Sequence, residues 1–175
     1  MVKYADGPRA EVSVDIAAPV EKVWPLLIDI DLPSRFSREF QGAEWIDDGP
    51  ALGATFRGQN KHPQVGEWDV VCTVTDFAPG SVFEWTVGDP ANKVARWRFD
   101  LAGVGDGDDR SSLTFSAEMG PGPSGLTPAI ERMPDREHDI VARRLEQGTA
   151  NLQRTVTGTT GLAEGEDDPM ASGRS

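Results

Sequence analysis

The segment PDREHDIVARRLEQGTANLQRTV, residues 134–156, follows a run of strand-like segments and has the pattern of one long amphipathic helix. Its apolar and small residues recur at helical spacing and form one stripe: Ile140, Val141, Leu145, Gly148, Leu152 and Val156. Asp135 and Glu137 lie near its start, where negative charge suits the positive end of a helix dipole. One long helix after several strands implies that an antiparallel sheet curls around the helix and buries the stripe.

The strands before this helix are marked by alternating apolar and polar residues, and each ends at turn residues. We expect strands at 11–16, 42–46, 52–59, 67–77, 82–87, 94–101 and 111–118, with a short helix opening at Pro19. One alternating set of side chains is apolar and the other is polar, which is typical of an antiparallel sheet solvated on one face. Glu84 should then pair with Arg96 or Arg98 across its hairpin.

Composition excludes several classes of function. The 175 residues are enough for one domain with a sizeable core, and the formal net charge of -12 argues against binding to nucleic acid or to anionic membrane surfaces. The single cysteine, Cys72, rules out an intramolecular disulfide and suits a reducing compartment. We expect neither a signal peptide nor a bilayer-spanning segment, because the first residues lack an apolar core and no segment is long enough to cross a bilayer. We therefore expect a cytoplasmic protein with no nucleic-acid partner and no membrane insertion. The oligomeric state stays open.

The C-terminal end differs in composition from the rest of the chain. From about residue 157 it is rich in glycine, serine, threonine and acidic residues, which bury too little apolar surface to repay the entropy of ordering. We expect a folded domain over residues 9–158 and a disordered acidic tail over residues 159–175.

Four segments carry a resemblance to a known family: EVSVDIAAPVEKVW at 11–24, DID at 29–31, DFAPG at 76–80 and RLEQGTANL at 144–152. Over residues 9–158 the chain resembles the START-like (SRPBCC) helix-grip superfamily, in particular its bacterial polyketide cyclase/dehydrase and lipid-transport branch. The resemblance implies an α+β fold in which a curved antiparallel β-sheet wraps around a long C-terminal α-helix, with a short helical insertion after the first strand. It also implies a cavity between sheet and helix for an apolar or aromatic small molecule, polyketide-like or lipid-like.

The candidate ligand-binding residues are mostly the inward-facing aromatic side chains of the strands. The set is Trp24, Phe56, Trp68, Phe83, Trp85, Trp97, Phe99, Phe115, Met133 and Val141. Such a face is either a ligand platform or ordinary core, because aromatic residues also dominate core burial. No cofactor or metal is expected, since two distant histidines and one cysteine lack zinc spacing.

Glu137 and His138 are the acid/base candidates if the protein catalyses a cyclisation or dehydration. At roughly 100° per residue they lie on the inward side of the long helix at its start, where a carboxylate and an imidazole can exchange protons near neutral pH. The alternative is a solvated pair at the edge of the apolar stripe. The family's aromatase/cyclases look as though they use a serine and an arginine on a central strand, where this chain offers Val71 and Thr73.

Two functions therefore stay open. The first is binding of an apolar ligand, with or without cyclase or dehydratase chemistry. The second is a non-catalytic ligand-sensing or protein-interaction module, in which the charged outer face or the acidic tail contacts a partner. A likeness of fold does not choose between them, because one fold hosts many activities.

Overall fold

The computed structural model describes residues 2–63 and 66–165, which form a curved seven-stranded antiparallel sheet and helices packed against it. The strands are β1 (Arg9–Ile16), β2 (Phe40–Trp45), β3 (Thr55–His62), β4 (Gly66–Ala78), β5 (Val82–Val87), β6 (Ala95–Val104) and β7 (Arg110–Met119). The α-helices of this part of the chain are α1 (Val20–Leu27), α2 (Thr127–Arg132) and α3 (Glu137–Ala163). None of these helices is long and apolar enough to cross a membrane.

The order of strands in the sheet is β1-β7-β6-β5-β4-β3-β2, so the first strand pairs with the last and the others form a meander. This arrangement confirms the α+β helix-grip fold expected from the sequence, with a short helix after the first strand and a long helix at the end. The alternation of side chains is also confirmed, because Phe83, Phe99 and Phe115 are cross-strand neighbours on the inner face. Glu84 and Arg98 are neighbours on the outer face.

The long helix differs from its expected bounds at both ends. A short 3-10 turn, Pro134–Arg136, separates it from α2, and α3 proper begins at Glu137. At the other end it continues to Ala163. Residues 159–163, which the composition assigned to the disordered tail, are therefore helical, and that part of the prediction was wrong. Residues 166–175 of that tail lie outside the described residues.

Packing explains why α3 extends through weak helix formers. Glycine and threonine have low helix propensity, and Gly158 and Thr159 made an earlier end plausible. In the structure Thr159 and Ala163 are buried, and the Phe36 ring lies so close to Gly158 that an added Cβ would overlap it. Tertiary contacts therefore outweigh local propensity at this end of the helix.

Candidate functional site

The inner face of the sheet is buried at one end and partly exposed at the other. Three cross-strand rows run over β5, β6 and β7, and the first row, Phe83–Phe99–Phe115, is buried with exposed fractions of 1%, 2% and 4%. The next two rows are Trp85–Trp97–Ala117 and Val87–Ala95–Met119. All six of their side chains are partly exposed. We call these six residues the open end of the sheet, and the phenylalanine row with Leu101 and Leu113 the closed end.

Two helices cover the closed end. Val23 and Leu27 of α1, and Leu152 and Val156 of α3, are buried in one cluster with the phenylalanine row. Helix α1 contacts β6 and β7, and α3 contacts β1 and β7. The closed end is therefore ordinary hydrophobic core, as expected for large apolar side chains that lose their water contact on folding.

The N-terminal half of α3 is packed differently. Val141 is fully buried but lies apart from the main core cluster, whereas Leu145 is only partly buried. Gly148 lies within about 20° of Val141 around the helix and about 40° of Leu152, in the middle of the inward stripe. A Cβ added at Gly148 would meet no atom within 4 Å. The inward stripe of α3 therefore has a gap with empty space in front of it.

The chain path brings the start of α3 to the end of the sheet that carries the exposed rows. The chain leaves β7 after Met119, and the following linker is bonded to the β5–β6 turn through Gly120 N to Val94 O at 2.8 Å and Gly122 N to Lys93 O at 2.7 Å. From there it passes through α2 into the first turn of α3. The open end and the gap at Gly148 together form the candidate site.

Trp85 is the centre of the aromatic cluster between the two ends. Its ring centroid lies 5.2 Å from that of Phe83, 5.8 Å from Phe99, 6.1 Å from Phe56 and 6.3 Å from Phe115. Such distances are typical of attractive aromatic pairs. Trp85 thus has one side anchored in the core and a partly exposed remainder facing the candidate site.

The structure divides the expected ligand-binding set into three groups. Phe56, Phe83, Phe99, Phe115 and Val141 are buried, and Trp24, Trp68, Trp85 and Trp97 are partly exposed. Met133 is 47% exposed, in the loop before α3. Only Trp85 and Trp97 combine exposure with a place at the open end. Trp24 contacts Phe77, at 5.9 Å between centroids, beside the closed end.

Two contributors were missed in the sequence. Trp45 joins the aromatic cluster, with its centroid 5.3 Å from that of Phe56, and its alternation in a short edge strand could have identified it. The other is Gly148. The sequence pattern placed it in the apolar stripe but did not indicate that the space in front of it is open. That space depends on how α3 is placed over the sheet.

Glu137 and His138 both contact the beginning of the chain. The Tyr4 N–H donates to Glu137 Oε1 at 2.8 Å, and the Val2 N–H donates to His138 Nδ1 at 3.1 Å. Both side chains are partly exposed. The structure therefore gives each of them a main-chain partner, which neither the acid/base interpretation nor the solvated-pair alternative included.

Other reactive groups near the site are few among the described residues. Cys72 is inward-facing beside Val87 and 3% exposed, and burial raises the pKa of its thiol to about 12. It therefore stays protonated and behaves as a small apolar side chain. In the described ranges no three His, Cys, Asp or Glu side chains are grouped to hold a metal ion. Val71 and Thr73 alternate with Cys72 and so lie on the outer face.

A separate shallow groove lies between β1 and the C-terminal end of α3. Its volume is about 210 Å³, and it is lined by Val14, Thr157, Thr160, Gly161 and Glu164. Glu164 also accepts a hydrogen bond from Ala17 N at 2.9 Å, which fixes this end of the helix. The groove contains no aromatic side chain and does not touch the candidate site.

The outer face of the sheet carries a network of charges. Glu84 accepts hydrogen bonds from Arg96 Nη1 at 2.9 Å, Arg98 Nη1 at 3.0 Å and Thr75 Oγ1 at 2.8 Å. Arg96 also pairs with Glu118. Partial burial by itself raises the pKa of Glu84, but the bonds from Arg96, Arg98 and Thr75 outweigh it, so the pKa is lower than usual. The expected pairing is confirmed, and it is structural.

Replacing Glu84 with glutamine should lower the free energy of unfolding by about 1–3 kcal/mol near neutral pH, because hydrogen bonds to a charged group are lost. A lowered folded-state pKa gives stability that is present above the unfolded-state value of about 4.3 and is lost as pH falls through the folded value. The difference between wild type and Glu84→Gln should therefore shrink on acidification. Urea unfolding at several pH values measures it.

Glu44→Gln is the matched control, because Glu44 faces Arg57 at 3.7 Å with a side chain 68% exposed. Such surface pairs contribute about 0–1 kcal/mol. Equal and pH-independent losses in the two variants would contradict the structural importance of the Glu84 network.

Comparison with known families gives one match over most of the chain. A family model described as polyketide cyclase / dehydrase and lipid transport matches residues 8–157. Comparison with curated proteins found no match.

Solved structures show the same architecture. A Polyketide_cyc-like protein from Corynebacterium glutamicum is 28% identical, with 89% of this chain and 91% of that chain covered and a TM-score of 0.62. The Zhui aromatase/cyclase from a Streptomyces species is 16% identical, with 91% and 99% covered and a TM-score of 0.61. A protein from Chromobacterium violaceum is 15% identical, with 90% and 99% covered and a TM-score of 0.57. The two more distant structures support the fold alone.

Proposed function

Because this chain belongs to the polyketide cyclase/dehydrase and lipid-transport family, we propose that it binds an apolar or aromatic small molecule, polyketide-like or lipid-like, between the open end of the sheet and the N-terminal half of α3. The observation that carries the proposal is the loss of burial from the Phe83 row to the Trp85 row, together with the open space before Gly148 on the inward stripe of α3. A protein interior normally closes such gaps by packing.

The chemistry of the lining indicates the class of ligand. The six open-end side chains are aromatic or aliphatic, and Cys72 beside them is a neutral thiol. A ligand placed there gains mainly by removing apolar surface from water, at about 25 cal/mol per Å². A charged group on the ligand would have to remain in contact with solvent, because burying an unpaired charge has a large desolvation free energy.

We propose a binding role ahead of catalysis. The acid/base candidates Glu137 and His138 each already accept a hydrogen bond from the main chain, and Val71 and Thr73 face away from the site. Cyclase or dehydratase chemistry would require Glu137 to act as a proton donor or acceptor toward the ligand. The substitution Glu137→Gln therefore distinguishes catalysis from binding, because glutamine can replace glutamate as a hydrogen-bond acceptor but not as an acid or base.

Titration with the neutral fluorophore N-phenylnaphthylamine should give a saturable one-site signal with energy transfer from tryptophan. Trp85→Ala and Trp97→Ala should each weaken binding, because these rings line the open end. Trp24→Ala is the control and should keep the affinity, since Trp24 lies beside Phe77 near the closed end.

The absence of a saturable signal in the wild-type protein would contradict the binding proposal. Of the alternative, a non-catalytic ligand-sensing or protein-interaction module, the protein-interaction role would then be favoured. Native mass spectrometry of freshly purified protein provides a second measurement, in which a retained small molecule supports the binding role.

A further inference from the structure

We infer that residues 2–8, which we call the N-terminal strap, hold the first turns of α3 closed over the candidate site and set the rate at which ligand exchanges. The role in exchange rests on the proposed binding function. The attachment of the strap to the start of α3 does not, because it consists of hydrogen bonds within the protein.

The strap bridges three parts of the structure. Pro8 O accepts from Met119 N at 2.9 Å, at the end of β7. The Tyr4 hydroxyl donates to Gly122 O at 2.5 Å, in the linker that leads to α2. The N–H groups of Tyr4 and Val2 donate to Glu137 and His138, in the first turn of α3. The strap therefore ties the start of α3 to the edge of the open end.

The first half of α3 depends on such ties more than the second half does. Leu152, Val156 and Ala163 are buried in the main core cluster, whereas between Glu137 and Gly148 only Val141 is fully buried. On its other side this half is held by Arg144 and Glu39, at 3.8 Å, with side chains 38% and 27% exposed. An exposed ion pair of this kind contributes little. Leu145 packs against the core cluster, and the strap adds its hydrogen bonds to the few other restraints on this half of the helix.

The helical conformation is interrupted at the point where movement of α3 would be needed. Met133, between α2 and the turn before α3, has φ −136° and ψ 64°, outside the helical region. Elements that move to admit ligands are drawn from the less stable parts of a fold, where few buried contacts hold them. Breaking one hydrogen bond shifts such an equilibrium by roughly 2- to 10-fold. The strap contacts are of the right strength to close the site and still release it.

The strap uses Glu137 as a hydrogen-bond acceptor and not as an acid. Glutamine keeps the acceptor oxygen, and alanine removes it. Glu137→Ala should therefore raise both the association and the dissociation rate of N-phenylnaphthylamine by about 3- to 10-fold, with little change in Kd, because opening limits both directions. Glu137→Gln should stay within about 2-fold of wild type. Stopped-flow fluorescence measures the rates.

Hydrogen exchange tests the closure without any ligand. The Tyr4 amide should exchange several-fold faster in Glu137→Ala and not in Glu137→Gln, as followed by NMR. Glu146→Ala is the matched control, because Glu146 is an exposed carboxylate on the same helix. Tyr4→Phe, which removes the bond to Gly122, should speed exchange in the same direction as Glu137→Ala.

The outcomes separate the strap from the binding proposal. Failure of the wild-type protein to bind the fluorophore would overturn the proposed function, while the Tyr4 exchange rates would still support or overturn the strap. If glutamine and alanine at position 137 accelerate exchange equally, the carboxylate matters for its charge and the strap mechanism is wrong. Unchanged rates in both variants would overturn it as well.

Discussion

Replacing Phe83 with alanine should lower the free energy of unfolding by about 3–5 kcal/mol, the cost of emptying a large aromatic site in a packed core. Phe83 is 1% exposed and contacts Phe77 and Trp85. It also pairs with Phe99 across the hairpin. Because side chains of α1 and α3 pack in the same buried cluster as Phe83, the cavity cannot collapse easily. Urea unfolding, with the midpoint and slope compared to wild type, measures the loss.

Trp85→Ala is the matched comparison, two residues along on the same face of β5. Trp85 is larger than Phe83 but partly exposed, so its truncation should cost less, about 1–3 kcal/mol. It should instead weaken ligand binding, which Phe83→Ala leaves intact if the protein stays folded. Equal losses of stability in Phe83→Ala and Trp85→Ala would show that the closed end and the open end are packed alike. That result would contradict the distinction between them.

Replacing Gly148 with phenylalanine should weaken binding of an apolar ligand by about 100-fold, equivalent to about 2.7 kcal/mol. The new ring would enter the space that a Cβ at this position finds empty. Stability should change little or rise, because glycine in a helix interior costs about 1 kcal/mol relative to alanine and no well-packed neighbour is displaced. Fluorophore titration and thermal unfolding measure the two effects.

The control for this variant is Ala150→Phe, on the same helix and exposed on its other side. It introduces the same ring without placing it opposite the open end, so affinity should stay near that of wild type. Unchanged affinity in Gly148→Phe would mean that the ligand does not occupy the space before Gly148, and the proposed site would be wrong.

Much of the fold could be predicted because local patterns determine it. Alternation in segments such as 82–87 and 94–101 indicates both the strands and their inner faces, and the register confirms that Trp85 and Trp97 are neighbours. The pairing of Glu84 with the arginines follows from the same alternation. Element ends were less well predicted, since the last turns of α3 depend on the packing of Phe36 against Gly158.

The candidate site could be predicted only in part. Alternation shows which aromatic residues face inward, but not which of them a helix covers, so Phe83 and Trp85 look alike in the sequence. The partners of Glu137 and His138 could not be foreseen, because Tyr4 and Val2 are more distant in sequence than any local pattern reaches. Long-range contacts of this kind decide whether a polar side chain is a reactive group or a structural one.

The pairing of β1 with β7 has a consequence for how the chain folds. The strands from β2 to β7 form a meander in which each strand pairs with the next one in sequence. Strand β1 pairs instead with β7, where Arg9 lies opposite Glu118. Closing such a long loop costs entropy before any contact repays it, and sheets dominated by distant pairings fold slowly. During synthesis β1 leaves the ribosome first but has no partner until β7 follows. We therefore expect the exposed edge of β1 to be the segment most open to misassociation in a nascent or truncated chain.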